Sequence, residues 1–115
     1  MTVKELCDPL KLKVLAGNGG LNREVTAGYT GDLLSWVMAH LPADAAWLTV
    51  MGNINTLAVA SLKDAACIIL TDSASLDDDA YQRAQKMEIT VLSAEQNSYE
   101  LGAKLAELLN NANLL

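Results

Sequence analysis

Cys67-Ile68-Ile69-Leu70-Thr71 is apolar at consecutive positions until its closing threonine. A strand with one wet face alternates apolar with polar, whereas a strand covered on both faces reads as a continuous apolar run. This stretch is therefore a central strand, and the segments on either side of it read as helices. Before it, Asn53-Ile54-Asn55-Thr56 offers caps to a helix in which Ala58, Ala60 and Ala65 allow close approach to a sheet. After it, Ser75-Leu76-Asp77-Asp78 has the form of a capping box, with Arg83 and Lys86 near the far end as the helix dipole prefers. Ala80, Ala84 and Met87 would form the inner stripe of that helix.

One step further out stand two more apolar runs, Trp47-Leu48-Thr49-Val50-Met51 and Thr90-Val91-Leu92-Ser93. A helix precedes the first, started by Gly31-Asp32 with Asp32 as its cap. Leu33, Leu34, Val37, Met38 and Leu41 lie on its core side, and Pro42 ends it. A last helix follows Asn97-Ser98-Tyr99-Glu100, a second capping box, with Leu101, Leu105, Leu108 and Leu109 inward. Strands joined through helices run parallel. The fold class is α/β, a three-layer-like sandwich around a mostly parallel sheet. Two short amino-terminal strands, Lys11–Leu15 and Glu24–Tyr29, lie around the glycine turn Gly17-Asn18-Gly19-Gly20 and add to an edge. Thr2 to Leu6 makes a short helical lead-in ended by Asp8-Pro9. The reading is one domain over residues 1–115, its core about 2–109 and its tail from 110 frayed.

Composition narrows the classes of function. With 51% apolar residues and 19% charged, the chain has the makeup of a compact globular protein. A net charge of −6 disfavours a broad nucleic-acid or anionic-membrane surface, so neither is expected as a partner. No run reaches the ~20 apolar residues of a membrane span. Lys4, Glu5 and Asp8 in the first ten residues are foreign to a signal peptide, and the expected location is cytoplasmic. Cys7 and Cys67 lack zinc spacing and read as buried thiols.

No catalytic constellation emerges. The glycine turn lacks the Lys-Ser/Thr pair of a phosphate loop. His40 is the single histidine, without a triad or metal partner, and the serines lack a nucleophile-elbow setting. Asp77-Asp78-Asp79 lacks calcium-loop spacing. No cofactor and no enzymatic activity are expected. Arg23 has two readings: an ion-paired surface residue, or a fork of donors for a carboxylate or phosphate, with Thr26 and Gly28 beside it. Asn53 and Asn55 open a helix after a central strand, where free amides favour an anion, and equally serve as ordinary caps. Joined, Arg23, Thr26, Gly28, Asn53 and Asn55 make a candidate site for a nucleotide or phosphorylated metabolite. Trp36 points away from its helix's apolar side with His40 one turn on, either under a loop or in a homodimer contact.

The stretch Asn22-Arg23-Glu24-Val25-Thr26-Ala27-Gly28-Tyr29, followed by Gly31-Asp32-Leu33-Leu34, resembles the DRTGG domain. Ala58–Leu62 and Ile68–Thr71 fit it also, so the resemblance covers about residues 2–109. Asn22 stands where the family's leading acid stands. The resemblance implies a fold similar to the amino-terminal domain of HPr kinase/phosphorylase and the uridine-nucleotide domain of Mur ligases. It also implies a stand-alone copy of a module that larger proteins, among them long phosphotransacetylases and CBS-containing pyrophosphatases, place in regulatory or assembly positions. No catalytic residue carries over. The expected function is a non-catalytic regulatory or scaffolding module, homodimeric, binding a small anion or a protein partner. The rivals are a subunit of a phosphotransfer or other enzyme complex and a purely structural assembly domain.

Overall fold

The computed structural model describes residues 1–113. In chain order the elements are α1 (Val3–Leu10), β1 (Lys13–Ala16), a 3₁₀ turn (Asn18–Gly20), β2 (Ala27–Thr30), α2 (Leu34–His40), β3 (Ala45–Thr49), α3 (Ile54–Leu62), β4 (Cys67–Leu70), α4 (Asp78–Met87), β5 (Val91–Ser93) and α5 (Ser98–Asn113). The strands form one five-stranded sheet in the order β1-β5-β4-β3-β2. β2, β3, β4 and β5 are mutually parallel, and β1 alone is antiparallel, against β5.

The apolar runs are buried on both faces because their side chains alternate between two cores. Ala46, Leu48, Ile69 and Leu92 pack with Leu6 and Leu10 of α1 and Leu101 and Leu105 of α5. Trp47, Ile68, Leu70 and Val91 pack with Val37 of α2, Leu57 and Ala60 of α3, and Ala80 and Ala84 of α4. The result is three layers, with α1 and α5 on one side of the sheet and α2, α3 and α4 on the other. Each fully buried leucine or isoleucine stabilises by roughly 1.5–3 kcal/mol. Trp47 satisfies its indole N–H on the Gly31 carbonyl at 2.9 Å, which ties the end of β2 to the sheet centre.

The two amino-terminal strands are edge strands, as the sequence implies, but their placement differs from the expectation of one shared edge. They do not share an edge but occupy opposite edges of the sheet, and β2 is parallel to its neighbour. Residues 17–26 make the crossing. At roughly 3.3 Å per residue they reach about 33 Å, against about 19 Å for four strand spacings. The glycine turn in this crossing is anchored. Gly17 donates to Gln85 Oε1 at 2.7 Å and accepts from Thr90 Oγ1 at 2.6 Å. Gly17 has φ +74°, and a Cβ there would run into the Ile89 carbonyl, so only glycine fits.

Several local expectations shift. α1 continues through Pro9 to Leu10, ending on a left-handed Lys11, and starts on a full Thr2–Glu5 capping box. Pro9 sits in the last turn, where only one amide bond is forgone. α2 is capped by Leu33 without a side-chain bond, because Asp32 instead accepts from Thr49 Oγ1 at 2.7 Å and Val50 N at 3.0 Å. Leu33 and Met38 are consequently exposed, and only Val37 and Leu41 turn fully inward. Ser75 makes no cap for α4, which begins after Asp77, and Met87 and Ala58 face outward. β3 begins two residues earlier than the Trp47 start and ends at Thr49, leaving Val50 exposed. α5 runs to Asn113, so residues 110–113 are helical rather than frayed; the remainder of the expected tail, 114–115, lies outside the described residues.

Two outcomes follow from this packing. Ile69→Ala, at a fully buried position in the first core, costs about 2–5 kcal/mol in urea unfolding. Burial pushes the Cys67 thiol up to about 12, so it stays protonated and unreactive at neutral pH. Native protein treated with a thiol reagent at pH 8 leaves Cys67 unmodified, whereas urea-unfolded protein loses both thiols; rapid native labelling of Cys67 would place it elsewhere.

Candidate functional site

Arg23 lies in the crossing segment at the amino ends of the parallel strands. Its Nη2 donates to Asp44 Oδ1 at 2.9 Å and to the Asp64 carbonyl at 2.7 Å, and pairs with Asp64 Oδ1 at 2.9 Å. Asp44 immediately precedes β3 and Asp64 lies in the turn between α3 and β4, each left-handed, with φ 61° and 58°. Asp44 N also donates to the Asp64 carbonyl at 2.9 Å, and Thr26 N donates to the Asp44 carbonyl at 3.0 Å. Partial burial works against the Arg23 charge, but the hydrogen bonds and charges of Asp44 and Asp64 outweigh it and hold its pKa above the usual range. The ion-paired reading of Arg23 is the one this geometry supports.

Asn53 and Asn55 stand at the other end of the sheet. Asn53 caps α3 by accepting from Thr56 N at 3.1 Å, and Asn55 is exposed in the first turn. β3 separates them from Arg23 by about 16 Å of strand. Gly28 is in the middle of the β2 edge, where a Cβ would press on Leu105 of α5 at 2.9 Å. Arg23 and Thr26 thus come together, and the structure does not bring them to Asn53, Asn55 or Gly28.

At the carboxyl ends of β3 and β4 the polar groups are spent on one another. Besides the Asp32 bonds, Thr71 Oγ1 shares a hydrogen bond with Ser98 Oγ at 2.8 Å. Gly52 lies so close under the Ser75 carbonyl that a side chain has no room there. Among the described residues no buried side-chain polar atom lacks a partner, and no group of acids, histidine or cysteine is arranged to hold a metal. Beyond this closed region, at the carboxyl ends of β4 and β5, a cleft of about 510 Å³ opens between the start of β1 and α5. Lys11, Lys13 and Lys104 line it with Ser73 and Ser93. These lysines escape a motif search because they come from three separate elements; the signal that could find them is the rule that α/β ligands lie beyond strand carboxyl ends.

Trp36 is 62% exposed and Leu33 68%, on the side of α2 turned from the core. The Trp36 and His40 rings lie in contact, tilted by 31° with centroids 4.4 Å apart, and His40 Nδ1 is 2.9 Å from the Trp36 carbonyl oxygen. Trp36 therefore does not tuck under a loop.

The DRTGG domain family model matches residues 5–108. The chain belongs to the DRTGG family. A solved structure similar to this DRTGG domain is the CBS and DRTGG regulatory region of Clostridium perfringens pyrophosphatase, complexed with its activator diadenosine tetraphosphate. The match has a TM-score of 0.70 at 10% identity and covers 89% of this chain and 44% of that one. The DRTGG domain thus spans less than half the length of that regulatory region. None of the curated proteins matches it. No helix among the described residues is long and apolar enough to cross a membrane.

Because Arg23 joins a half-buried aspartate, an exposed one and a backbone carbonyl, its role is to hold turns. Arg23→Ala costs about 1 kcal/mol of stability in chemical unfolding, in the range of partly exposed pairs. Arg23→Lys recovers only part of it, since one ammonium does not reproduce the guanidinium's planar fork. A loss above about 3 kcal/mol would mark Arg23 as a buried charge, contrary to its exposure.

Proposed function

We propose that this DRTGG domain is a non-catalytic regulatory or scaffolding module that works as a homodimer through the outer face of α2. The observation that carries the reading is the exposed Trp36–His40 ring pair beside Leu33. Leu33 to Leu41 contains no Asp, Glu, Lys or Arg in a chain of net charge −6. Two copies of an acidic protein repel through their charged surfaces, so an uncharged aromatic face is the one suited to a second copy. β2, the strand preceding α2, is also an edge strand with one hydrogen-bonded neighbour. A two-fold contact over this side brings identical patches together, as isologous dimers require.

The second part of the proposed function is binding of a small anion, a nucleotide or phosphorylated metabolite, as the signal that the module reports. Support comes from the similar regulatory region, which is complexed with a nucleotide activator. Membership in a larger assembly fits the same reading, since the similar protein carries its DRTGG domain beside CBS domains.

Sedimentation equilibrium at micromolar protein gives a dimer, and Trp36→Ala shifts it toward monomer with an unchanged far-UV spectrum. An exposed side chain contributes little to the monomer's fold, so thermal stability at low concentration moves by less than about 0.5 kcal/mol. A wild-type monomer throughout that range removes the dimer from the reading.

A further inference from the structure

We propose that the cleft at the carboxyl ends of β4 and β5 binds a small phosphate-bearing polyanion through Lys11, Lys13 and Lys104. The inference deepens the anion-binding part of the function proposed above and rests on it. The chain has 8 lysines and arginines against 14 acids. Three of those cations nonetheless face one cleft, from the turn after α1, from β1 and from α5, with Glu95 the acid in the lining. Among the described residues the ion pairs involve only the amino terminus and Arg23. The three cleft lysines are therefore not spent on holding the fold, in contrast to Arg23. With three lysines against one glutamate, the lining carries a formal positive excess within an acidic protein, which favours an anion at this point.

The frame around the lysines is fixed by bonds from several elements. Gln96, also in the lining, donates from Nε2 to the Leu10 carbonyl at 3.0 Å and accepts at its own carbonyl from Asp72 N at 2.9 Å. Ser73 N donates to the Ala94 carbonyl at 2.9 Å, and Lys13 stands opposite Ser93 in the β1–β5 register. Asp72 and Ser73 are both left-handed, with φ 56° and 53°, a conformation that costs non-glycine residues energy and here turns the chain sharply at the rim. A hydrogen-bonded rim carrying ammonium groups on long side chains suits a phosphate group. Lysine acts on phosphate as a point charge with freely directed donors. The hydroxyls of Ser73 and Ser93 add neutral donors. At about 510 Å³ the cleft is within the ~300–1,000 Å³ typical of small-molecule sites.

The test is calorimetry of the full chain at low salt with tripolyphosphate, ATP and adenosine. Tripolyphosphate and ATP bind, and adenosine does not; equal affinities mean that the phosphates suffice, and tighter ATP means that the nucleoside is seated too. Lys11→Gln/Lys13→Gln/Lys104→Gln weakens binding by about tenfold or more. A charge-matched control, Lys63→Gln/Arg83→Gln/Lys86→Gln, stays within about twofold of wild type. Lys104→Gln alone, at an exposed helical position, gives a loss of about threefold and decides the matter if the triple variant does not fold. Amide NMR shifts on adding tripolyphosphate centre on Ser73, Ser93 and Gln96. No binding at millimolar ligand, binding untouched by the cleft variants, an equal loss in the control, or adenosine binding alone overturns the site. Binding by a protein that sediments as monomer removes the dimer and keeps the cleft; a dimer that binds neither phosphate ligand does the reverse.

Discussion

The side chains of β3 and β4 have no route to water on either face of the sheet, and that constraint governs the rest of the molecule. Ala46, Leu48 and Ile69 need one covering layer; Trp47, Ile68 and Leu70 need another. Neither layer is dispensable, because exposing one face returns several fully buried aliphatic side chains to solvent at roughly 1.5–3 kcal/mol each. The three crossover helices α2, α3 and α4 cover the Trp47 face. The opposite face is left to the chain's two ends, α1 and α5. The beginning and end of the sequence are thus as necessary to the sheet as its middle.

That division also sorts the charged and polar groups by duty. The amino ends of the parallel strands are closed by Arg23 and two aspartates, with every partner drawn from the fold itself. At the carboxyl ends of β3 and β4, Asp32, Thr49, Thr71 and Ser98 likewise bond to one another or to nearby backbone. Two surfaces lie outside these closed regions: an uncharged one around Trp36 and a cationic one around Lys13. The proposed contacts with a like molecule and with an anion make opposite demands on charge, and the two surfaces lie on different elements.

The central strands were legible because burial on both faces suppresses alternation, and the helices between them because their apolar spacing and caps are local. Asn97 caps α5 as its sequence implies, accepting from Glu100 N at 2.9 Å. Edge placement was not legible. Lys11 to Leu15 alternates identically whichever edge it joins, and only the length of the crossing and the anchors at Gly17 and Arg23 decide. Asp32 misled for a related reason: a carboxylate before a helix is a natural cap, yet Thr49 and Val50, remote in sequence, compete for it and win. The proposed Arg23–Asn53 site joined residues that each suited an anion in isolation. Sequence carries no record that a strand's length lies between them. The three cleft lysines are not legible in the sequence, because each alone reads as an ordinary solvated side chain.

The pairing of β1 with β5 has a consequence for how the chain acquires its structure. Val14 meets Leu92, so an early strand waits for one of the last. Closing so long a loop carries an entropic cost that grows slowly with length, but it delays the reward, and non-local pairings slow folding. The run from β2 to β4, linked by short crossovers, has no such wait and is the natural place for a nucleus to condense. On a ribosome, β1 would emerge early and stay unpartnered through most of synthesis. Its lysine-bearing start is a suitable guard for that interval, since charge on an unpaired strand discourages the intermolecular pairing that an apolar edge invites.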